Sequence, residues 1–437
     1  MAMRSIMNAA GRAMGVAACA TALAGAAGAE SLPDAWRMAL ASDAGIAAAR
    51  AERSAADDDR RAAERSRWPV VDASAGYTRL QEAPMLDIPV PGGRFQSPRI
   101  WRNDQYVNAS TDLSVPVFTS GRLSGTIGAA RAGASGAAAL ESRSVAEVKL
   151  AVAEAYVDVL RARHARAVAE SGVASLEAHA QDVRVMYERE AVPRADLLAV
   201  EVALANARQQ QLRARHALRI ATAAYNRRVG QPLDREPDLE TPRVVPAAPA
   251  ESLDALTAAA VEARPELAAL MAKRDALAQS ARAERAGALP QLTLRAGYTH
   301  LDNQILDRQN FASVGVQLQW RLFDGGQLRA RTAALAGRAR AADRQLEELR
   351  SLVALEVESE YLSRQDADAR AAAGRTAVEQ ADENLRMARE LYGAGLATNT
   401  QVLDAESLRV IAVRNRDDAE LDRVLAAYRL DRAIGRL

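Results

Sequence analysis

The chain has 437 residues, with 57 lysine and arginine side chains against 56 aspartates and glutamates, a formal charge of +1, one cysteine and 4% aromatic residues. That balance excludes a whole-protein field able to gather nucleic acid, and a single cysteine excludes a disulfide-stapled fold. An apolar share of 49% is too high for a disordered chain.

Residues 1–29 read as an export signal. Arg4 and Arg12 form a charged start, Ala13 to Ala26 is uncharged and mostly apolar, and Ala27-Gly28-Ala29 has the small-x-small form of a cleavage site before Glu30. Removing the segment takes two arginines and no carboxylate, which moves the formal charge to −1. Cys19 lies inside it. The alternative, a lipoprotein box Val16-Ala17-Ala18-Cys19 with Cys19 acylated, is disfavoured because too few apolar residues separate Arg12 from Cys19. No later run is long and apolar enough for a spanning helix.

The remaining chain divides into an N-terminal helix (30–67), a first β-hairpin (68–120), a first long helical hairpin (121–230), a linker with a short helix (231–264), a helix (265–288), a second β-hairpin (289–325) and a second long helical hairpin (326–437). The division rests on an internal duplication. Val117-Phe118-Thr119-Ser120-Gly121-Arg122-Leu123 aligns with Leu322-Phe323-Asp324-Gly325-Gly326-Gln327-Leu328 at an offset of 205, and the same offset pairs Tyr156 with Tyr361, Tyr187 with Tyr392, Glu201 with Glu406 and Gly230 with Gly435. Upstream, Pro69-to-Pro290 and Tyr77-to-Tyr298 give an offset of 221, so the first copy carries a longer loop, marked by Pro84, Pro89, Pro91, Gly92, Gly93 and Pro98.

Each copy has two stretches of period-two alternation, as in Val314, Val316, Leu318, Trp320 and Leu322 set between Gly315, Gln317, Gln319 and Arg321. These predict four strands in two hairpins. Ten of the seventeen aromatics fall in the windows 68–118 and 298–323, the concentration expected where strands meet a lipid interface. A water-soluble sheet with one buried face alternates equally well. Four strands that span a membrane cannot close alone, because open edges in lipid leave backbone groups unsatisfied, so a membrane reading demands oligomers. After each hairpin comes a proline-free run, Arg122 to about Arg189 in the first copy, with Val145, Val148, Val152, Ala155 and Val159 at coiled-coil spacing and a looser Leu346, Leu349, Val353, Val357 series in the second. Turns around Pro193 and around Gly393 and Gly395 reverse the chain.

Helix, β-hairpin, long helix, tight turn and returning helix, all occurring twice after an export signal, resemble the TolC family of outer-membrane efflux and secretion channels. Its local marks are Leu322-Phe323-Asp324-Gly325-Gly326 at the strand-to-helix corner, Tyr392-Gly393-Ala394-Gly395-Leu396-Ala397-Thr398 at the second turn, and Val402-Leu403-Asp404-Ala405 after it. The resemblance implies a mainly α fold with a β-barrel portion: a homotrimer whose twelve strands form one barrel in outer-membrane lipid, continued by a periplasmic α-helical barrel. It implies a periplasmic membrane-fusion adaptor at the turns and, through it, an inner-membrane pump. The adaptor-facing tips would be Ala191, Val192, Pro193 and Arg194 in one turn and Gly395, Leu396, Ala397 and Thr398 in the other. For the pore constriction the resemblance carries over Tyr392, the carboxylate Asp196 and one ring aspartate, Asp404. The family's latch arginine and second ring aspartate are replaced by Ala397 and Gln401, so closure is expected to rest on packing and neutral hydrogen bonds.

No cofactor, metal ligand set, phosphate loop or nucleophile constellation is legible, nucleic acid is not an expected partner, and the chain reads as a non-enzyme. His164, His179 and His216 lie among charges on helical stretches and are expected to be exposed. A periplasmic coiled-coil adaptor or an envelope-spanning scaffold stays open as an alternative to a passive conduit.

Overall fold

The computed structural model describes residues 29–83, 87–96, 104–241, 251–302 and 307–437; the predicted signal segment before Ala29, with Cys19, lies outside them. In chain order the elements are α1 (Leu32–Ser42), α2 (Ala44–Arg65), β1 (Val70–Arg79), β2 (Asp87–Val90), β3 (Gly93–Gln96), β4 (Gln105–Phe118), α3 (Arg122–Glu188), α4 (Arg194–Arg228), α5 (Leu253–Ala263), α6 (Pro265–Ala286), β5 (Gln291–Leu301), β6 (Asn310–Gln319), α7 (Gln327–Gly393) and α8 (Asn399–Ala433). The long helices of the two copies match in length. α3 and α7 have 67 residues each, and α4 and α8 have 35 each.

Helices of this length, about 100 Å for α3 and α7 at 1.5 Å per residue, follow from runs rich in alanine and free of proline. Their starts are fixed locally. Gly121 and Gly326 precede them at φ 91° and 86°, a left-handed backbone that costs glycine nothing. The Asp324 carboxylate accepts from the N–H groups of Leu328 and Gly326, both at 2.9 Å, and these bonds hold its pKa below the usual carboxylate range. Thr119 occupies the same place in the first copy, its Oγ1 accepting from Leu123 N–H at 3.4 Å.

β1, β4, β5 and β6 form one antiparallel sheet in that order, so the last strand of the first copy pairs with the first strand of the second. The register places Val71 and Tyr77 of β1, Val107 of β4, Leu294 and Tyr298 of β5, and Val314, Val316 and Leu318 of β6 on one face. Ser74, Ser110, Asp112, Thr293, Gln317 and Gln319 share the other. The apolar face is bare, Val314 being 81% exposed, and among the described residues no helix packs extensively on the sheet. β1 and β6 are its unpaired edges.

Two sequence expectations are corrected. The single N-terminal helix over 30–67 is two helices, broken at Asp43, whose carboxylate accepts from Ile46 N–H at 2.9 Å and starts α2. Asp43 stands 221 residues before Arg264, where the second copy breaks between α5 and α6, but Pro265 marks that break and Ala44 does not. The longer loop of the first copy contains a ribbon, β2 paired with β3, turned at Pro91-Gly92 with Gly92 at φ 100°.

Three buried clusters hold the helices. One joins α1, α3, α4 and α8 around Val152, Tyr156, Val159 and Tyr225. There the Tyr156 hydroxyl lies 2.8 Å from the Glu30 carbonyl and 2.5 Å from that of Glu240, securing the segment before α1 to the segment after α4. A second joins α5, α6, α7 and α8 around Leu256, Val353 and Val357. The third lies at the far end of the long helices. Close approach of α3 to α6 depends on Gly125, where a Cβ would stand 2.8 Å from the Ala283 backbone nitrogen.

Candidate functional site at the helical tips and chain flanks

At the tips α3 turns into α4 through Arg189–Pro193, with Glu190 at φ 58°, and α7 turns into α8 through Ala394–Thr398, with Gly395 at φ 75°. A non-glycine residue at such a φ carries a steric cost that Gly395 avoids at the equivalent position of the second copy. Under the turns Ala180, Val183, Val200, Leu385, Val402 and Ala405 are buried together.

Tyr392, itself buried, donates its hydroxyl to Asp196 Oδ2 at 3.1 Å. Burial, with the Asp196 carboxylate beside it, pushes its pKa up to about 12. Asn399, the first residue of α8, donates from Nδ2 to the Asp196 carbonyl at 3.1 Å, and its Oδ1 lies 2.8 Å from His179 Nε2. The His179 ring meets Tyr392 edge-on, with centroids 5.6 Å apart. One residue from each of α3, α4, α7 and α8 therefore enters a single polar cluster.

Of the residues singled out from sequence, Tyr392 and Asp196 meet. Gln401 does not join them; its Oε1 accepts from Thr398 N–H at 2.9 Å and caps α8. Asp404, a little further along α8, is exposed and has no ion-pair partner among the described residues. In the turns Ala191, Pro193, Arg194, Gly395, Leu396 and Thr398 are exposed, whereas Val192 and Ala397 are half-buried against the third cluster. The expectation of exposed histidines holds for His216 only. His164 is half-buried with an unpartnered Nδ1, and His179 is 5% exposed because Tyr392 and Asn399 fold over it. His179 and Asn399 are the residues that sequence reasoning missed. Asn399 follows the helix-starting Thr398, a usable signal, while nothing near His179 points to a partner 220 residues away. Among the described residues no group of His, Cys, Asp and Glu could hold a metal ion.

The flanks differ between copies in a regular way. Ile220 on α4 is 71% exposed, yet its counterpart Leu425 on α8 is 5% exposed where α8 meets α3. Leu362 on α7 is 54% exposed, and its counterpart Val157 on α3 is fully buried. α4 and α7 thus show open flanks where α8 and α3 are covered.

The outer membrane efflux protein model matches residues 35–231 and 256–436. Outer membrane protein TolC of Vibrio cholerae is 24% identical over 435 residues, spanning 97% of this chain and 94% of that protein. The alkaline protease secretion protein AprF of Pseudomonas aeruginosa is 28% identical over 291 residues, 65% of this chain; the match spans only 60% of that protein. In fold, the outer membrane protein VceC of Vibrio cholerae superposes with a TM-score of 0.79 at 18% identity, covering 92% of this chain and 96% of that one. With the duplicated helical hairpins and the open four-stranded sheet, these matches place the chain in the outer membrane efflux protein family, to which TolC belongs.

Proposed function

We propose that the chain is the outer-membrane channel of a tripartite efflux or secretion system, a passive conduit built as a homotrimer. Twelve strands, four from each copy, close one barrel in outer-membrane lipid, and the helices continue it as a periplasmic tunnel. The tips meet a periplasmic membrane-fusion adaptor, which links the channel to an inner-membrane pump that supplies the energy and selects the substrate.

The observation that carries this reading is the bare apolar face of a sheet with two unpaired edges. Lipid suits that face, and the polar face with Ser74, Ser110, Asp112, Gln317 and Gln319 suits a water-filled lumen. In lipid each unpaired edge group costs several kcal/mol, and pairing β6 of one copy with β1 of the next removes both edges. The helices give parallel support. Arg161 on α3 pairs with Asp418 and Asp422 on α8 at 3.2 and 2.7 Å. Shifting α3 forward and α8 back by 205 replaces Arg161 with Asp366 and Asp418 with Arg213, an opposite-charge pair with reversed polarity on the open flanks of α7 and α4. A neighbouring copy brings those two together.

The duplication also sets the seam register. Leu113 opposite Ala296 and Ser114 opposite Arg295 transfer to Leu318 opposite Ala75 and Gln319 opposite Ser74 of the next copy. Cys19 being the only native cysteine, the double variants A75C/L318C and S74C/Q319C are expected to give disulfide-linked trimers on non-reducing gels, while the shifted pair Y77C/L318C gives few. A monomer released in osmotic-shock fluid with no cross-link in any variant rejects the trimeric channel in favour of a soluble adaptor or scaffold.

Three copies of the exposed Asp404 around the tunnel axis form an acidic ring, which attracts cations. Asp404→Ala is expected to lower the cation selectivity of single channels in planar bilayers; unchanged selectivity removes Asp404 from the constriction.

A further inference from the structure

Resting on the channel reading, we propose that His179 and Asn399 form a hydrogen-bonded latch that fixes the two helical tips of each chain to one another and so sets the resting width of the tunnel mouth. The latch follows from how Asn399 spends its amide. Oδ1 faces His179 Nε2 on α3 at 2.8 Å, and Nδ2 donates to the carbonyl of Asp196 on α4 at 3.1 Å. The reverse amide orientation would set Oδ1 against the Asp196 carbonyl, two acceptors with no proton between them, so the orientation is fixed by its neighbours. Oδ1 only accepts, and Nε2 of His179 therefore carries a proton.

Both Asn399 bonds run between hairpins, from the start of α8 to α3 and to α4. The Tyr392 hydroxyl makes a third such link, from the end of α7 to the Asp196 carboxylate. His179 is 5% exposed and Asn399 3%, within the apolar cluster of Val183, Val200, Leu385 and Val402. Water cannot replace the bond in that setting, and each partner left alone would be a buried polar group without a mate. The pair occupies the part of the tip where the family resemblance leads one to expect an arginine and a further aspartate, and where this chain has Ala397 and Gln401.

The duplication provides an internal control. His179 corresponds to Asn384 and Asn399 to Arg194, so the other inter-hairpin cleft, between neighbouring copies, cannot rebuild the same bond. The six clefts around a trimeric mouth alternate between a latched kind inside each chain and an unlatched kind between chains. The two tips of one chain accordingly move as a pair until the latch breaks.

The test is single-channel conductance of purified full-length protein in planar bilayers. His179→Leu keeps apolar volume and removes the donor; Asn399→Ala removes the other partner. Each is expected to raise conductance several-fold, and the double variant no further than either single one, because both remove the same bond. His179→Gln presents an N–H at similar reach and is expected to stay near the wild-type value, which separates the hydrogen bond from packing. Spin labels on Ala191→Cys and Leu396→Cys of the same chain, diluted into unlabelled chains, should show the two tips further apart in the Leu and Ala variants, and this also reports on variants whose trimers are too scarce for conductance. Wild-type conductance and unchanged tip distances in both variants overturn the latch. Absence of conductance in the wild type overturns the channel reading instead.

Discussion

A Val316→Arg chain is expected to reach the periplasm and fail to assemble. Val316 lies on the bare face of β6 opposite Leu294 of β5, with Val314 and Leu318 to either side. An arginine on the lipid face of a barrel costs roughly 2–4 kcal/mol near the bilayer midplane, and in the proposed trimer that cost recurs in each subunit. Gln317→Arg, one residue along and on the polar face, is the matched control and should assemble. Heat-modifiable trimer in the outer-membrane fraction reports both. Equal trimer in the two variants would mean that lipid does not cover the apolar face.

Arg264→Met is expected to destabilise the helical body by about 3–5 kcal/mol, the range for removing one partner from a buried ion pair. Arg264, 4% exposed, sits at the break between α5 and α6. Its guanidinium bonds Glu266 on α6 at 2.9 Å and Glu356 on α7 at 2.5 Å, and Arg432 on α8 reaches the same two carboxylates. Four helices are therefore joined through four charges. Burial pushes the Glu266 pKa up, but the hydrogen bond from Arg264 and a backbone N–H outweigh it and leave the carboxyl below its ordinary 4.5. A depressed folded-state pKa gives stability that is fully present above 4.5 and is lost as pH falls through the lower folded value. Wild-type trimers in detergent should lose thermal stability in that acid window, and Arg264→Met trimers should start lower and lose less. Equal melting at neutral pH would show that Arg432 alone satisfies both carboxylates.

The sequence carried the fold wherever one copy could be checked against the other. Gly121 against Gly326 and Tyr187 against Tyr392 gave the offset, and the offset fixed where long helices begin and end. It failed where the copies reach the same backbone by different chemistry. Pro265 announces one helix break, whereas Asp43 makes the equivalent one with a side-chain cap followed by an ordinary alanine. The tips were legible as turns, since Pro193 and Gly395 are strong local signals. Their interior was not. His179 stands among charged residues that suggest solvent, and only the fold brings Tyr392 and Asn399 over it. Gln401 had a usable signal, because Thr398 with Gln401 three residues on is a capping pair. Its alignment with a ring aspartate points to the pore, whereas its side chain closes the helix end.

Pairing β4 with β5, and packing α3 of the first copy against α6 and α8 of the second, has a bearing on biogenesis. The first copy is not a folding unit. If the chain is exported from its N-terminus, as the proposed channel would be, part of the surface that α3 needs follows later in the sequence, and contacts so distant in sequence form late. A chain halted before α6 would leave Gly125 uncovered and β4 with a free edge, and one halted before α8 would leave Val152 and Val159 without Leu421 and Val424, the kind of exposed segment that proteases cut first. In the proposed channel, α8 is then the last element needed to close the cluster around Val152 and Val159 before assembly.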